Sequence, residues 1–230
     1  MRYELIIFDW DGTLMNSVPK IVACMQAAAA DAEWGELDVK AIEDIIGLGL
    51  PEAIAKLCPG ISPEQAERLR QRYSHHFVEG NTTPMPFFDG VEAHLAKLRE
   101  RPQQRLAVAT GKSRRGLDRI FRETGSGQFF HASRTADETR SKPHPQMLHE
   151  ILVELQVPVE RAVMVGDTEY DLEMARALGM DRVGVTYGVH TPARLAASQP
   201  IWVADDIPSL FQWLYGESQD GQVKTSRNAT

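Results

Sequence analysis

The chain has 230 residues, of which 43% are hydrophobic and 25% charged, and its net charge is −7. This composition is typical of a globular protein of one or two domains with a sizeable core, and it argues against disorder and against a membrane span. The acidic charge and the lack of a long basic block argue against a nucleic-acid partner. If such a protein handles an anionic ligand, it must concentrate positive charge locally.

The sequence also predicts the compartment. Cys24 and Cys58 are not spaced as a metal-binding pair, and we expect ordinary thiols in a reducing environment. Asp9 and Asp11 break the first apolar run far short of the ~20 residues that a membrane helix needs, and no basic leader precedes that run. We therefore expect a cytoplasmic protein that does not bind membranes.

The first predicted strand, residues 5–8, is followed by Asp9-Trp10-Asp11-Gly12-Thr13. Because a strand projects alternate side chains to the same side, Asp9 and Asp11 can approach one site where the strand opens into a loop. Two carboxylates repel each other there unless a cation lies between them or each has a separate task. Mg²⁺ is the natural candidate, since it takes oxygen ligands and recruits substrate phosphate. The alternative is a turn in which aspartate accepts backbone hydrogen bonds before Gly12.

Residues 16–83 favour helices with no strand between them. Ser17-Val18-Pro19 predicts a helix start with Ser17 as N-cap and proline in the first turn. The predicted helices cover residues 17–34, 38–46, 51–57 and 62–79, and a proline-bearing connection follows at 82–88. We expect residues 16–83 to form an all-helical domain, although composition alone leaves open that these helices pack as part of one rigid domain.

The second half of the chain alternates strands and helices. Alternation of this kind implies an α/β fold with a Rossmann-like parallel sheet covered on both faces. The first strand belongs with this half, so the expected core is residues 1–15 and 84–215, with a flexible polar tail at 216–230. The predicted strands are 5–8, 105–109, 129–132, 162–165, 182–185 and 201–204, and the predicted helices between them begin near 89, 114, 145 and 170.

Two further strands end in residues suited to chemistry at the carboxyl edge of the sheet, where ligands bind in such folds. Thr110-Gly111 offers a hydroxyl and backbone N–H groups before a helix, which makes an anion cradle. Asp167 and Asp171 are four residues apart, hence on one face of a first helical turn. The alternatives are local: Thr110 is an N-cap, and the carboxylates favour a helix N-terminus.

Between these two segments lies Lys142. Pro143 and Pro145 are expected to hold the chain extended so that Lys142 projects from a fixed backbone. A single exposed lysine usually has no special role. Together with the strand ends, however, this lysine supplies the local positive charge that an anion site in an acidic protein requires.

Asp-x-Asp-Gly-Thr, apolar-Thr-Gly, Lys-Pro and Gly-Asp-x-x-x-Asp, in this order, are improbable together by chance. They resemble the four motifs of the haloacid dehalogenase superfamily, and the chain looks most like its phosphoglycolate phosphatase group. The resemblance runs from Asp9 to Asp171 and covers the whole expected core. It implies a helical cap inserted after the first strand, which closes over the active site.

The resemblance also implies roles for the acidic residues. Asp9 would be the nucleophile that forms an aspartyl phosphate, and Asp11 would protonate the leaving alkoxide and then activate water. Mg²⁺ would be held by the Asp9 carboxylate, the backbone carbonyl of Asp11 and the Asp167 carboxylate. Asp171 would be a further ligand or would support the ligands from behind.

The remaining motif residues would bind the substrate. Thr110, the Gly111 amide and the Lys142 ammonium would contact the phosphoryl oxygens and neutralise charge in the transition state, and Lys142 would also keep Asp9 ionised. The implied substrate is a small phosphorylated metabolite, such as phosphoglycolate or a sugar phosphate. We expect the protein to act as a monomer or homodimer.

Several activities share this core. Dehalogenases need no leaving-group acid at the position of Asp11, and phosphonoacetaldehyde hydrolases have alanine there, so both are disfavoured. A phosphohexomutase of the β-phosphoglucomutase type has a similar Asp and stays open, as does a catalytically idle regulatory module, although no motif is damaged. The turn at residues 47–51 lacks Arg and Lys, which favours a small or weakly charged leaving group if that turn faces the active site. The turn is equally consistent with a plain helix–helix connection.

Overall fold

A computed structural model of the protein describes residues 2–216, so nearly all of the predicted flexible tail lies outside the described residues. Six strands form one sheet in which every neighbouring pair is parallel. The predicted α/β fold with a parallel sheet is therefore confirmed. The strands are β1 (Leu5–Phe8), β2 (Arg105–Thr110), β3 (Ala132–Thr135), β4 (Ala162–Gly166), β5 (Asp181–Val185) and β6 (Trp202–Ala204).

The order of the strands across the sheet is β3-β2-β1-β4-β5-β6. In such a doubly wound sheet, the strand order reverses beside β1, and ligands bind in the crevice outside the carboxyl ends of the strands at that point. Phe8, the last residue of β1, lies level with Val108 of β2 and with Val165 of β4. The residues that end or follow these three strands therefore emerge side by side.

Between β1 and β2 the chain is helical, and among the described residues no strand interrupts it there. We call residues 18–80 the helical insertion. Within residues 2–216, no helix is long and apolar enough to cross a membrane. The helices are α1 (Val18–Asp31), α2 (Val39–Asp44), α3 (Leu50–Leu57), α4 (Pro63–His75) with a π-helical turn at His76–Gly80, α5 (Val91–Arg99), α6 (Arg114–Thr124), α7 (Gln146–Leu155), α8 (Glu169–Arg176), α9 (Pro192–Ala197) and α10 (Ile207–Tyr215).

Three apolar clusters form the core. Alternate residues of β1 pack on opposite faces of the sheet, so Ile6 and Phe8 enter one cluster and Leu5 and Ile7 another. The helical insertion has a smaller cluster of its own, which includes the buried thiol of Cys58. Both cysteines are free and buried, as ordinary thiols should be. The helical insertion thus has an apolar cluster of its own, distinct from the two clusters on the faces of the sheet.

The position of β3 differs from the prediction. The apolar residues at 129–132 favoured a strand, but Phe129 ends a 3₁₀ turn and β3 begins only at Ala132. Phe130 stacks on Phe121, with ring centroids 5.7 Å apart, and lies edge-on to Trp10 at 6.0 Å. These aromatic residues pack against the main core cluster, and the edge strand itself contains the more polar sequence that follows.

Candidate active site

Asp9 follows β1 directly and lies against Lys142. The Asp9 N–H donates to the carbonyl of Val165 at 2.9 Å, which fixes the backbone beside β4. The Lys142 ammonium lies 2.5 Å from Asp9 Oδ1 and 2.6 Å from Asp171 Oδ1, and all three side chains are buried. The structure thus brings together three predicted site residues, of which Asp9 lies more than a hundred positions from the other two along the chain.

The backbone around Lys142 differs from the prediction. The prolines were expected to keep this segment extended, but the chain turns here, and the His144 N–H donates to the Ser141 carbonyl at 3.0 Å. The turn, rather than an extended segment, directs Lys142 towards the ends of β1 and β4. Proline restricts the backbone in turns as well as in extended chain, so the sequence did not distinguish the two.

Asp167 follows β4 and is held on both oxygens. Oδ1 accepts from the Thr13 hydroxyl and Oδ2 from the Val189 N–H, each at 2.9 Å. The backbone of Gly12 packs directly on this carboxylate, since a Cβ at Gly12 would lie 2.3 Å from Oδ2, and its φ of +82° also favours glycine. The glycine of the first motif therefore makes room for the aspartate of the last.

Asp171 has two sets of contacts. It is the third residue of α8, and its Oδ2 accepts from the Thr168 hydroxyl at 2.7 Å and from the Thr168 N–H at 3.2 Å, as a capping residue would. Its Oδ1 accepts from Lys142. Asp171 therefore takes part in capping α8, as the alternative interpretation expected, and also lies in the predicted site.

The buried cluster carries more negative than positive charge. Ligand oxygens of Asp9, Asp167 and Asp171 all lie within 4.8 Å of one another, and one ammonium, that of Lys142, contacts them. Burial raises the pKa of Asp9 well above its usual range, although Lys142 opposes this shift, and burial together with Asp171 raises the pKa of Asp167 to about 7. The Asp9 and Asp171 carboxylates outweigh burial and raise the pKa of Lys142.

One carboxylate oxygen in this cluster has no partner. Asp9 Oδ2 is buried and accepts no hydrogen bond from any described residue. A buried oxygen with spare lone pairs, surrounded by further carboxylates, is costly without a cation. Since hard divalent cations such as Mg²⁺ take carboxylate and carbonyl oxygens, the donor set and its charge fit a metal of this kind.

Asp11 faces a cavity of about 740 Å³ that lies between the helical insertion and the carboxyl edge of the sheet. Its Oδ1 accepts from the Ser17 hydroxyl at 2.5 Å and lies 2.8 Å from the Lys112 ammonium. Ser17 is the residue before α1, as predicted, but its side chain makes no capping bond. The hydroxyl instead binds the carboxylate six residues earlier.

Lys112 was missed by the sequence reasoning. Its side chain is about nine-tenths buried, with 9% exposed, and its only unusual signal is that it follows the Thr110-Gly111 pair at the end of β2. Thr110 is buried and its Oγ1 accepts from the Lys112 N–H at 3.2 Å. The N-cap alternative for Thr110 is wrong, because Ser113 caps α6.

The turn at residues 47–51 contacts this loop. A Cβ at Gly111 would lie 2.5 Å from the Leu48 carbonyl oxygen, so the two backbones are in close contact. The Gly49 N–H donates to the Ser141 hydroxyl at 2.7 Å, next to Lys142. The turn therefore connects two helices and also faces the active site, which combines both interpretations of its sequence.

A second set of contacts joins the helical insertion to α8 and α9. Asp44 at the end of α2 pairs with Arg194 and, at 2.8 Å, with Lys56. Arg194 also pairs with Glu169 at 2.6 Å, and the Tyr170 hydroxyl donates to the Asp44 carbonyl at 2.7 Å. These charged side chains are about one third to one half exposed, unlike the buried groups of the sheet edge.

Comparison with known proteins agrees with this geometry. A family model described as haloacid dehalogenase-like hydrolase matches residues 6–185. The chain belongs to this family. The probable phosphatase IndB of Dickeya dadantii (strain 3937) is 34% identical over 205 residues, which cover 87% of this chain and 89% of that protein.

Other relatives extend the similarity over nearly the whole chain. A phosphoglycolate phosphatase of Mannheimia succiniciproducens is 28% identical over 228 residues, covering 92% of this chain and 98% of that protein. A crystal structure of a hydrolase from Pseudomonas syringae matches the fold with a TM-score of 0.82 at 24% identity, covering 93% of this chain and 98% of that one. Within the haloacid dehalogenase-like family, the chain is a phosphatase.

Proposed function

We propose that the protein is an Mg²⁺-dependent phosphomonoester hydrolase that acts in the cytoplasm on a small phosphorylated metabolite through an aspartyl-phosphate intermediate at Asp9. The observation that carries this proposal is the free, buried Oδ2 of Asp9, whose other oxygen contacts the Lys142 ammonium at the carboxyl edge of the sheet. The relatives that are named phosphoglycolate phosphatases support a substrate of that kind.

The metal would be held by the carboxylates of Asp9 and Asp167 and by the backbone carbonyl of Asp11. When bound, Mg²⁺ would neutralise the buried negative charge and make the site attractive to an anionic phosphate. One oxygen of Asp171 accepts from the Lys142 ammonium, whereas no cationic group among the described residues contacts either oxygen of Asp167. Asp171 would therefore orient Lys142 or serve as a further ligand, and direct ligation would rest first on the other two carboxylates.

The chain's own residues would then carry out two displacements. Asp9 attacks phosphorus while Asp11 gives a proton to the leaving oxygen, and the alcohol departs. Asp11 then takes a proton from the water that attacks the aspartyl phosphate, which releases inorganic phosphate and restores Asp9. Thr110, the Gly111 N–H and Lys142 would bind the phosphoryl oxygens through both steps.

The helical insertion would act as a cap over this site. Asp9 is only 1% exposed while the turn at residues 47–51 contacts the loops after β2 and β3, so substrate must enter when these contacts open. We propose residues 16–83 as the moving cap and residues 1–15 with 84–215 as the core. Closure would exclude bulk water from the reacting groups.

The test is a panel of phosphomonoesters with Mg²⁺ that measures both released phosphate and isomerised product. We expect wild-type protein to release phosphate and the Asp9→Asn variant to lose more than about 10⁴-fold in kcat, because an amide is a poor nucleophile. Circular dichroism should show that this variant stays folded. The exposed Asp89→Asn change serves as the matched control and should leave turnover unchanged.

Two outcomes would contradict the proposal. Substantial phosphatase activity in Asp9→Asn would show that Asp9 is not the nucleophile. Isomerised phosphosugar in place of free phosphate would assign the protein to the mutases.

A further inference from the structure

Three cationic side chains surround one aromatic ring that lines the cavity beside Asp11. Phe77, in the π-helical turn of the helical insertion, has Lys20 Nζ at 5.4 Å, Lys112 Nζ at 5.0 Å and Arg119 Cζ at 5.7 Å from its ring centroid. The ring attracts each cation individually. Three positive charges this close repel one another, however, so an anion between them would be stabilised.

The three cations differ in their partners. Lys20 donates to the Asn81 carbonyl at 2.9 Å, and Lys112 pairs with Asp11 at 2.8 Å. Arg119 Nε is buried and donates to no described residue. The carboxylate of Glu123 lies 3.6 Å from it, beyond hydrogen-bond distance. A buried N–H donor without an acceptor is costly, and at the wall of a cavity it marks the place of a ligand acceptor.

The helical insertion lines the cavity with many apolar residues and with polar ones that include Arg70, His75 and Glu79. The turn at residues 47–51, which lacks Arg and Lys, is one part of this lining, so the expectation of a weakly charged leaving group considered only part of the cavity. Lys112 and Arg119 supply charge from the core side. The volume of about 740 Å³ also exceeds what a two-carbon leaving group fills. The apolar lining residues of the insertion include Ile21, Met25, Ile45, Ile46, Leu48 and Leu50.

We infer that Lys112 and Arg119 bind a second anionic group on the leaving group of the substrate, a carboxylate or a second phosphate, and that the natural substrate is a phosphomonoester of this class. The inference rests on the proposed phosphatase function. Lys112 contacts Asp11, the group that would protonate the leaving oxygen. Lys112 and Arg119 both approach the Phe77 ring.

The experiment compares three matched six-carbon substrates with Mg²⁺: glucitol 6-phosphate, gluconate 6-phosphate and glucitol 1,6-bisphosphate. Only the far end differs, as a neutral CH₂OH, a carboxylate or a phosphate. We expect wild-type kcat/KM to be about 10- to 100-fold higher for one or both of the anionic substrates, as a charged hydrogen bond would give. The preferred substrate shows whether the second anionic group is a carboxylate or a phosphate.

The variants locate the preference. Arg119→Gln should remove most of it and change kcat/KM for glucitol 6-phosphate less than about twofold, whereas Arg119→Lys should retain part of it. Arg99→Gln makes the same change in net charge on the exposed surface of α5, outside the cavity, and should leave the preference intact.

The outcomes separate this inference from the function on which it rests. Equal kcat/KM for the three substrates in wild-type protein, or equal losses for all three in Arg119→Gln, would overturn the inference and leave the phosphatase function in place. Release of phosphate from other monoesters but from none of these three would do the same. If no monoester of any kind released phosphate, the proposed function and the inference would both fall.

Discussion

The sheet edge and the helical insertion contain the same kind of ion pair in two different environments. Lys142 and Asp9 lie 2.5 Å apart with 0% and 1% of their side chains exposed, whereas Lys56 and Asp44 lie 2.8 Å apart with 45% and 33% exposed. Removing a partner from a buried pair leaves a charge without solvent, but an exposed charge is rehydrated. The first pair therefore fixes the reacting groups, and the second can break at little cost.

The apolar contacts show the same contrast. The clusters on the two faces of the sheet enclose β1 completely, while the helical insertion packs around its own smaller cluster. Its polar contacts to the core include the Asp44–Arg194 network, the Lys56–Tyr170 hydrogen bond and the Gly49–Ser141 bond. The groups proposed for the chemistry thus lie at the buried sheet edge, whereas the proposed cap has an apolar cluster of its own and would shift as a unit.

The largest expected effect concerns the acid–base group of the sheet edge. Asp11→Asn should lower kcat for an alkyl phosphate by about 10²- to 10⁴-fold, because the leaving alkoxide and the attacking water both lose their proton-transfer partner. With p-nitrophenyl phosphate, whose leaving group needs no proton, we expect a rapid burst of p-nitrophenolate followed by a slow phase. Stopped-flow absorbance measures both phases.

The matched change in the helical insertion sharpens this result. Asp44→Asn removes a carboxylate that touches no reacting group, and kcat should change less than about tenfold, since the pair is partly exposed. Wild-type rates in Asp11→Asn with the alkyl substrate would contradict the acid–base role.

The next effect is on stability. Lys142→Met leaves the carboxylates of Asp9 and Asp171 buried without their cation, and the free energy of unfolding should fall by about 3 to 5 kcal/mol. Lys56→Met in the helical insertion should lower it by less than about 1 kcal/mol. Urea denaturation measures both, and similar losses in the two variants would abolish the contrast between the regions.

Mg²⁺ should stabilise the protein through the buried carboxylates of the sheet edge and not through the exposed carboxylates of the helical insertion. Burial raises the pKa of Asp9 and raises that of Asp167 to about 7, so the folded metal-free protein binds more protons than the unfolded chain above pH about 4. Its stability at this site therefore falls as the pH rises towards 7. A fixed Mg²⁺ concentration equal to 100 times its Kd at pH 7.5 should add about 2.7 kcal/mol at that pH and less near pH 5, where protons compete for the carboxylates.

Other carboxylates in the protein also titrate in this range. The control therefore compares the stabilisation by Mg²⁺ in the wild-type protein with that in a variant. Asp167→Asn should remove most of the Mg²⁺ gain and reduce its pH dependence, while the groups of the helical insertion titrate equally in both proteins. Denaturation in EDTA and in Mg²⁺ at the two pH values gives the comparison. Equal Mg²⁺ gains in wild type and variant would place the metal elsewhere.

The smallest effect concerns the attachment of the helical insertion. Arg194→Ala removes the bridge between Asp44 and Glu169, and the global stability should change by less than about 1 kcal/mol. Amide hydrogen exchange in residues 39–57 should nevertheless accelerate, because local opening becomes easier. Arg176→Ala, whose partner Glu173 lies in the same helix α8, should leave that exchange unchanged. Unchanged exchange in Arg194→Ala would show that other contacts hold the insertion.

Much of the fold could be predicted because its signals are local. The apolar runs that form β1, β2 and β4 have no competing role, and they lie where the pattern placed them. The edge strand β3 could not be placed from its apolar residues, because Phe129 and Phe130 pack against the core instead. Ser17 likewise began a helix as predicted, but its hydroxyl binds Asp11.

The candidate site was predictable where strand ends supplied it and was not where distant side chains converge. The pattern alone indicated that Asp9, Thr110 and Asp167 share one edge, since parallel strands present their carboxyl ends together. It gave no sign that Lys112 would reach Asp11 or that Arg119 would share a ring with it. The first contact joins the ends of two strands that are distant in the chain, and the second depends on how Phe77 of the helical insertion packs against the core.

The sequence by itself determined the parallel sheet and the set of acidic groups at its edge, because strand periodicity and strand-end chemistry are encoded within a few neighbouring residues. Only the tertiary structure decided which charges are paired, which are in excess and which remain without a partner. Pairing depends on distances between elements, and burial then sets its energy. Both arise only when elements that are distant in the chain pack together.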